Sequence, residues 1–95
     1  MMSSITTAEL KTLLQNSPTV KVIDVRSPEE FQTGAIPGAI NIPTHQVQQR
    51  RAEFTSGDPV YVICQSGTRS KLVTLALRAQ GLTNVVNVSG GLNAW

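Results

Sequence analysis

The chain has one cysteine, one histidine, one tryptophan and one tyrosine in 95 residues, and each scarcity excludes something. A single cysteine cannot close an internal disulfide, so no framework of bridges holds the fold, and a free thiol fits a reducing compartment. One histidine and one cysteine form no ligand cluster, so no metal site can be argued and no cofactor is expected. No apolar run approaches the roughly 20 residues that a membrane helix needs. The start, Met1-Met2-Ser3-Ser4-Ile5-Thr6-Thr7, lacks a basic patch followed by an apolar stretch, so no signal peptide is read. The expected location is cytoplasmic, with no membrane partner. A formal net charge of +2 is too small an excess to argue for nucleic acid. Arg50 and Arg51 are adjacent and read as a solvated pair. No repeat, linker or low-complexity segment interrupts the chain.

What is present suits one soluble globular domain over residues 1–95, with 40% apolar and 15% charged residues. Thr6-Thr7-Ala8-Glu9 reads as a capping box, with Thr6 at N-cap, ahead of Leu10, Leu13 and Leu14 at helical spacing. Asn16-Ser17-Pro18 stops that helix, and Val20 to Val25 is a β-branched run read as a buried strand. Ser27-Pro28-Glu29-Glu30 is a second capping box with proline at the first helical position, and Gly34 keeps this helix brief. Ala39 to Ile42 reads as a short strand closed by Pro43, and Thr44 to Phe54 as a polar helix. Val60 to Ile63 is a further strand. Lys71 to Gln80 then reads as a helix whose apolar stripe is Leu72, Leu75, Ala76 and Ala79, ended by Gly81. Val85 to Val88 is a last strand, Gly90-Gly91 a turn, and Leu92 to Trp95 the start of a terminal helix. Strands separated by helical segments predict an α/β domain with a mainly parallel sheet, whose ligand site lies beyond the carboxyl ends of the strands. Cys64 ends one strand, and Asp24 and Arg26 end another, which puts all three on one rim.

Cys64 sits where the apolar strand breaks into Gln65-Ser66-Gly67-Thr68-Arg69-Ser70. A thiol there faces unpaired N–H groups at the start of the following helix, and those groups favour an anion. A thiol of pKa about 8.5 is only about 3% thiolate at pH 7, so this environment decides reactivity. Gly67 lets the loop curl so that successive N–H groups point inward, Arg69 supplies a permanent cation, and Ser66, Thr68 and Ser70 add hydroxyls. The arrangement suits a cysteine that attacks an anionic substrate and then carries charge itself. Asp24 either supports the structure, by capping loop N–H groups or pairing with a cation, or contacts substrate. Arg26 either draws anionic donors to the rim or pairs with Glu29 or Glu30. His45 follows Pro43-Thr44 in a loop and reads as no more than a surface residue, and Trp95 as core or edge packing.

The loop from Cys64 to Ser70 resembles the CxxGxR[S/T/A] loop of rhodanese-type sulfurtransferases. The likeness runs over nearly the whole chain. Val22-Ile23-Asp24-Val25-Arg26 with Glu29-Glu30-Phe31 is similar to that family's first signature, Gly34 to Pro43 to its G-H-I-P-G-A-x-N-I-P segment, and Gly90 to Trp95 to its G-G-x-x-A-W end. The resemblance implies a three-layer α/β/α domain around a central, mainly parallel five-stranded sheet. It implies that Cys64 takes a sulfane sulfur from a small anionic donor such as thiosulfate, that the loop residues Gln65, Ser66, Gly67, Thr68 and Ser70 hold it, and that Arg69 favours the thiolate and the donor. Cyanide, a small thiol or a protein thiol would accept the sulfur.

Related cysteine phosphatases and arsenate reductases place five residues between cysteine and arginine, and here there are four. The tighter loop fits a single sulfur better than a tetrahedral phosphate. The loop also lacks the C-G-S-G-V-T pattern of mercaptopyruvate sulfurtransferases. Ala35 stands where the family usually has histidine. Family members often continue past the A-W pair, so an end at Trp95 reads as a trimmed chain or a domain cut from a larger protein. The alternative within the same loop chemistry is a sulfur-relay or regulatory module serving a partner protein thiol, since no second cysteine can resolve a persulfide internally.

Overall fold

The computed structural model describes residues 4–95. The first three residues of the expected 1–95 domain lie outside the described residues. The elements run β1 (Ser4–Thr6), α1 (Thr7–Asn16), β2 (Lys21–Asp24), α2 (Pro28–Gln32), β3 (Ile40–Asn41), β4 (Val60–Ile63), α3 (Thr68–Ala79) and β5 (Val85–Ser89). Short 3-10 turns cover Thr44–Gln46, Arg51–Phe54 and Gly91–Ala94. The strands form a five-stranded sheet in the order β1-β5-β4-β2-β3, with every pairing parallel.

The pleat divides the core between the two faces of the sheet. Ile23, Val60, Val62 and Val85 point to the side that holds Leu77 of α3, Val47 and Phe54. Val22, Ile63 and Val88 point to the side that holds Leu10 of α1 and Ile36. In register, Ile23 lies beside Val62 and Asp24 beside Ile63, so the ends of β2 and β4 fall level at one edge. No helix of the described residues is long and apolar enough to cross a membrane.

Both capping boxes form. The Thr6 hydroxyl accepts from the Glu9 N–H at 3.1 Å and Glu9 accepts from the Thr6 N–H at 2.8 Å. Ser27 and Glu30 do the same at 3.2 and 3.1 Å. Four expectations change. β1 was not read as a strand, because three residues with one apolar side chain carry no periodicity. The polar helix expected over 44–54 is instead two 3-10 turns, since Val47 and Phe54 anchor the segment seven positions apart with no stripe between them. The terminal helix expected from Leu92 is the 3-10 turn Gly91–Ala94.

The fourth change is the largest. α3 begins at Thr68, three residues before the expected Lys71, and its inward face is Ser70, Thr74 and Leu77. The expected stripe faces outward: Leu72 is 64% exposed, Leu75 is 53% exposed, and Ala76 and Ala79 are exposed. Residues 70, 74 and 77 share one side of a 3.6-residue helix as well as 72, 75, 76 and 79 do. The loop decides between the two, because Ser70 is bonded to Cys64 and so fixes the rotation of the helix.

Candidate active site

β4 carries Cys64 to the carboxyl edge of the sheet, where the thiol is fully buried. Gly67 then adopts φ +99°, a conformation that a residue with a Cβ rarely takes, and turns the chain into α3. The turn directs backbone donors at the sulfur. Cys64 Sγ accepts from the Gly67 N–H at 3.1 Å and from the Ser70 N–H at 3.4 Å. The Ser70 hydroxyl lies 3.4 Å from Sγ. Burial is the largest single influence on the thiol and pushes its pKa up. The Ser70 hydroxyl and the N–H groups of Ser70, Gly67 and Ser66 act the other way, and together they leave the thiol below its ordinary value.

The loop is clamped from behind by the terminal turn. The Cys64 carbonyl accepts from the Leu92 N–H at 3.0 Å, the Gln65 carbonyl from the Asn93 N–H at 2.9 Å, and the Gln65 side-chain amide donates to Asn93 Oδ1 at 2.8 Å. Gly91 allows this approach, because a Cβ there would come within 2.5 Å of the Cys64 carbonyl oxygen. Thr7 at the start of α1 donates to the Gly91 carbonyl at 2.7 Å and ties that turn to the domain.

Asp24 and Arg26 form a buried brace. Arg26 donates through Nη2 to Asp24 Oδ2 at 2.8 Å and through Nε to both carboxylate oxygens at 3.0 Å. It also donates to the Gly34 carbonyl at 2.8 Å and to Gln65 Oε1 at 3.3 Å. Arg26 was expected at the rim, free for donors or paired with Glu29 or Glu30. It is 2% exposed and its partner is Asp24, because β2 ends there and the chain folds the guanidinium back over the carboxylate.

Arg69 was expected to serve the thiolate. Its guanidinium instead pairs with Glu30 in a two-pronged contact, Nη1 to Oε1 at 2.7 Å and Nη2 to Oε2 at 2.9 Å. This pairing is the main reason that Arg69 is held above its ordinary value and that the Glu30 carboxyl is drawn down to about 2. The Cys64 charge acts on Arg69 only as a smaller influence. The Ser66 hydroxyl donates to the Thr68 hydroxyl at 3.3 Å in an exposed position. Ala35 is half-buried beside Gly34, and His45 is exposed on its 3-10 turn. Trp95 packs at the edge, 37% exposed, with the Lys11 ammonium 5.1 Å from its ring centre.

Sequence reasoning missed Glu30 as the holder of Arg69 and Gly91 and Asn93 as the clamp on the loop. Glu30 carried signals as a helix cap, as a candidate partner for Arg26 and as part of the family's first signature, but none that tied it to Arg69. Its second role spans 39 positions, which no local pattern reveals.

Comparison with known proteins agrees with this geometry. The model of the rhodanese-like domain matches residues 6–95. A sulfurtransferase of Allochromatium vinosum is 34% identical over all of this chain and 89% of its own length. The putative sulfur carrier protein YrkF of Bacillus subtilis is 34% identical over 90% of this chain. The chain spans 60% and 46% of the length of two Bacillus subtilis relatives that it matches. The crystal structure of a rhodanese-like domain protein from Staphylococcus aureus superposes with a TM-score of 0.90 at 41% identity, covering 99% of this chain and 91% of that one. With the cysteine loop, the parallel sheet and these matches together, the chain belongs to the rhodanese-like domain family.

Proposed function

We propose that this protein is a sulfurtransferase that carries sulfane sulfur as a persulfide on Cys64. The supporting observation is the set of backbone N–H groups and the Ser70 hydroxyl converging on Sγ. Such a cradle stabilises the thiolate and would stabilise the terminal sulfur of a persulfide by the same dipoles. In the first half-reaction the Cys64 thiolate attacks the outer sulfur of thiosulfate. The sulfur–sulfur bond of the donor breaks and sulfite leaves with its electron pair. In the second, a nucleophile attacks the outer sulfur of the persulfide and Cys64 departs as thiolate. Cyanide would leave as thiocyanate and a thiol as its own persulfide. Ping-pong kinetics follow from the shared covalent intermediate.

Gln65, Gly67 and Ser70 shape the cradle. Asp24 and Arg26 brace it from the end of β2 through Gln65. Thiosulfate is a dianion and competes with Glu30 for Arg69, so Arg69 in this reading is a cation shared between the fold and the donor.

A second reading, a relay that hands sulfur to a protein thiol, is favoured by the solitary cysteine, which leaves the persulfide no second thiol within these 95 residues. It is supported by the sulfur-carrier description of YrkF. Incubation with thiosulfate should add one sulfur atom to Cys64 by intact mass, and Cys64→Ser should abolish the adduct. No adduct from thiosulfate or any other sulfane donor overturns the proposal. Hydrolysis of an aryl phosphate or turnover of arsenate would replace it with the phosphatase-like or arsenate-reducing reading.

A further inference from the structure

The outward stripe of α3 begins at the catalytic loop. Ser70 touches the Cys64 sulfur, and Leu72 follows two residues later with 64% of its surface exposed. Leu72 and Ala76 form one wall of a groove of about 340 Å³ with Val47, Gln48 and Val73, and Arg69 lines the same groove. Leu75 lies beside Lys71 on the other flank of the helix. At the far end of the stripe the Arg51 guanidinium is fixed by Gln80, donating to its side-chain oxygen at 2.7 Å. Two of the three large hydrophobic residues exposed among the described residues are therefore on this one face.

The helix that carries the stripe and the segments beside it supply basic side chains and no acidic ones. No aspartate or glutamate occurs from Phe31 to Ala52 or from Pro59 to Trp95. Arg51, Arg69 and Lys71 border the face, and the acid that meets one of them is Glu30, already paired with Arg69. A second copy of the chain laid on this face would set cations against cations. Three cations are also few for a nucleic acid track, and phosphates would leave the two leucines uncovered. An amphipathic segment with apolar residues at helical spacing and acidic flanks satisfies both halves of the surface.

Resting on the persulfide reading above, we propose that the outer face of α3 docks an acidic, amphipathic segment of a protein that brings the acceptor thiol to Cys64. The thiolate of the docked protein attacks the outer sulfur of the Cys64 persulfide. The bond between Sγ and that sulfur breaks, Cys64 leaves as thiolate, and the docked cysteine becomes the persulfide. No oxidant is consumed.

The test uses a synthetic amphipathic peptide with leucines along one face, glutamates beside them and one cysteine near its end. A matched peptide carries glutamine for each glutamate. Binding to the unloaded protein is read by fluorescence anisotropy, and sulfur transfer from the thiosulfate-loaded protein by mass spectrometry. The glutamate peptide should bind and accept sulfur at least about tenfold better than its glutamine twin at low salt, and lose most of that advantage at high salt. The variant Leu72→Gln/Leu75→Gln should lose about tenfold with the glutamate peptide while transferring sulfur to cyanide at the original rate. Equal behaviour of the two peptides, or an unimpaired double variant, overturns the docking surface. So does self-association of the chain, or its binding to phosphatidylserine vesicles, if the double variant abolishes that instead. A failure to load sulfur on Cys64 overturns the persulfide reading alone, because the anisotropy comparison does not need the sulfur.

Discussion

Gly91→Ala isolates the clamp on the Cys64 loop. The glycine has φ +57°, where an L-residue costs about 1 kcal/mol. The larger effect is contact. A Cβ at this position meets the Cys64 carbonyl oxygen at 2.5 Å, the Gln65 carbonyl oxygen at 2.6 Å and the Gln65 carbonyl carbon at 2.8 Å. All three are backbone atoms, so no side chain can swing aside. The terminal turn must retreat, and with it go the bonds from the Leu92 and Asn93 N–H groups to those carbonyls, each of which contributes about 1 kcal/mol. The combined loss is about 3 kcal/mol, against a total stability of about 5–15 kcal/mol for a typical domain, so the variant still folds. For a domain of this size that corresponds to a fall in Tm of about 12–24 °C.

Gly81→Ala is the matching control. Its φ of +94° imposes similar backbone strain, but nothing lies within 4 Å of the added Cβ. Denaturant titration should therefore separate the two variants by about 2 kcal/mol. A second reading comes from the thiol, because retreat of the turn unsettles the loop that aims the Gly67 and Ser70 N–H groups at Sγ. Ultraviolet titration of the thiolate should show a raised pKa in Gly91→Ala and none in Gly81→Ala. Equal stability losses together with an unshifted thiol would refute the reasoning, since they would mean that the turn and the loop are not mechanically joined.

Three further outcomes follow from the same geometry. Ser70→Ala removes the strongest of the groups that favour the Cys64 thiolate, so the thiol pKa should rise, and a fall would contradict the assignment. Asp24→Ala leaves the Arg26 guanidinium buried without its partner and should cost about 3–5 kcal/mol in denaturant titration, whereas a loss below about 1 kcal/mol would show that the brace is not desolvated. The Glu30 carboxyl is drawn down to about 2 from a value of 4.5, so its contribution to stability is complete above pH 4.5 and is lost as pH falls towards 2. Because its side chain is 36% exposed, that contribution is below about 1 kcal/mol. Glu30→Gln should flatten the stability profile over this acid range and, by freeing Arg69, lower the KM for thiosulfate; an unchanged acid profile and KM would dismiss the pair.

The legible parts of this molecule are the local ones. The two capping boxes declare themselves within four residues, and β2, β4 and β5 are short β-branched runs bounded by turn residues. The loop was legible for the same reason, since Cys64, Gly67 and Ser70 lie close enough in sequence for their geometry to be reasoned from the strand end and the helix start. What escaped depends on distant contacts. α3 presents an apolar set, Leu72, Leu75, Ala76 and Ala79, and a largely polar set, Ser70, Thr74 and Leu77, at equally good helical spacing, and the bond from Ser70 to the sulfur turns the polar set inward. Arg26 could be imagined with any nearby acid, and burial against Asp24 chose among them. The clamp on Gln65 comes from Asn93, 28 positions away, in a segment that the sequence offered only as the start of a terminal helix.

These contacts divide the electrostatics of the site into two kinds that salt can tell apart. N–H and O–H dipoles lie 3.1–3.4 Å from the Cys64 sulfur inside a buried loop, where mobile ions do not enter. Arg69 is engaged by Glu30, and the influence between it and the Cys64 charge is a minor one. The thiol pKa should therefore barely move between low and high salt. The face beside it is the opposite case, with Arg51, Lys71 and Arg69 at or near the surface around Leu72 and Leu75. Encounters on that face are screened within about 10 Å at 0.1 M salt. If the thiol pKa falls or rises steeply with salt, the dipole account of the cradle is wrong and Arg69 must be credited with the thiolate after all. If it holds while transfer to an acidic thiol peptide collapses, the chemistry belongs to the loop and the choice of acceptor to the helix.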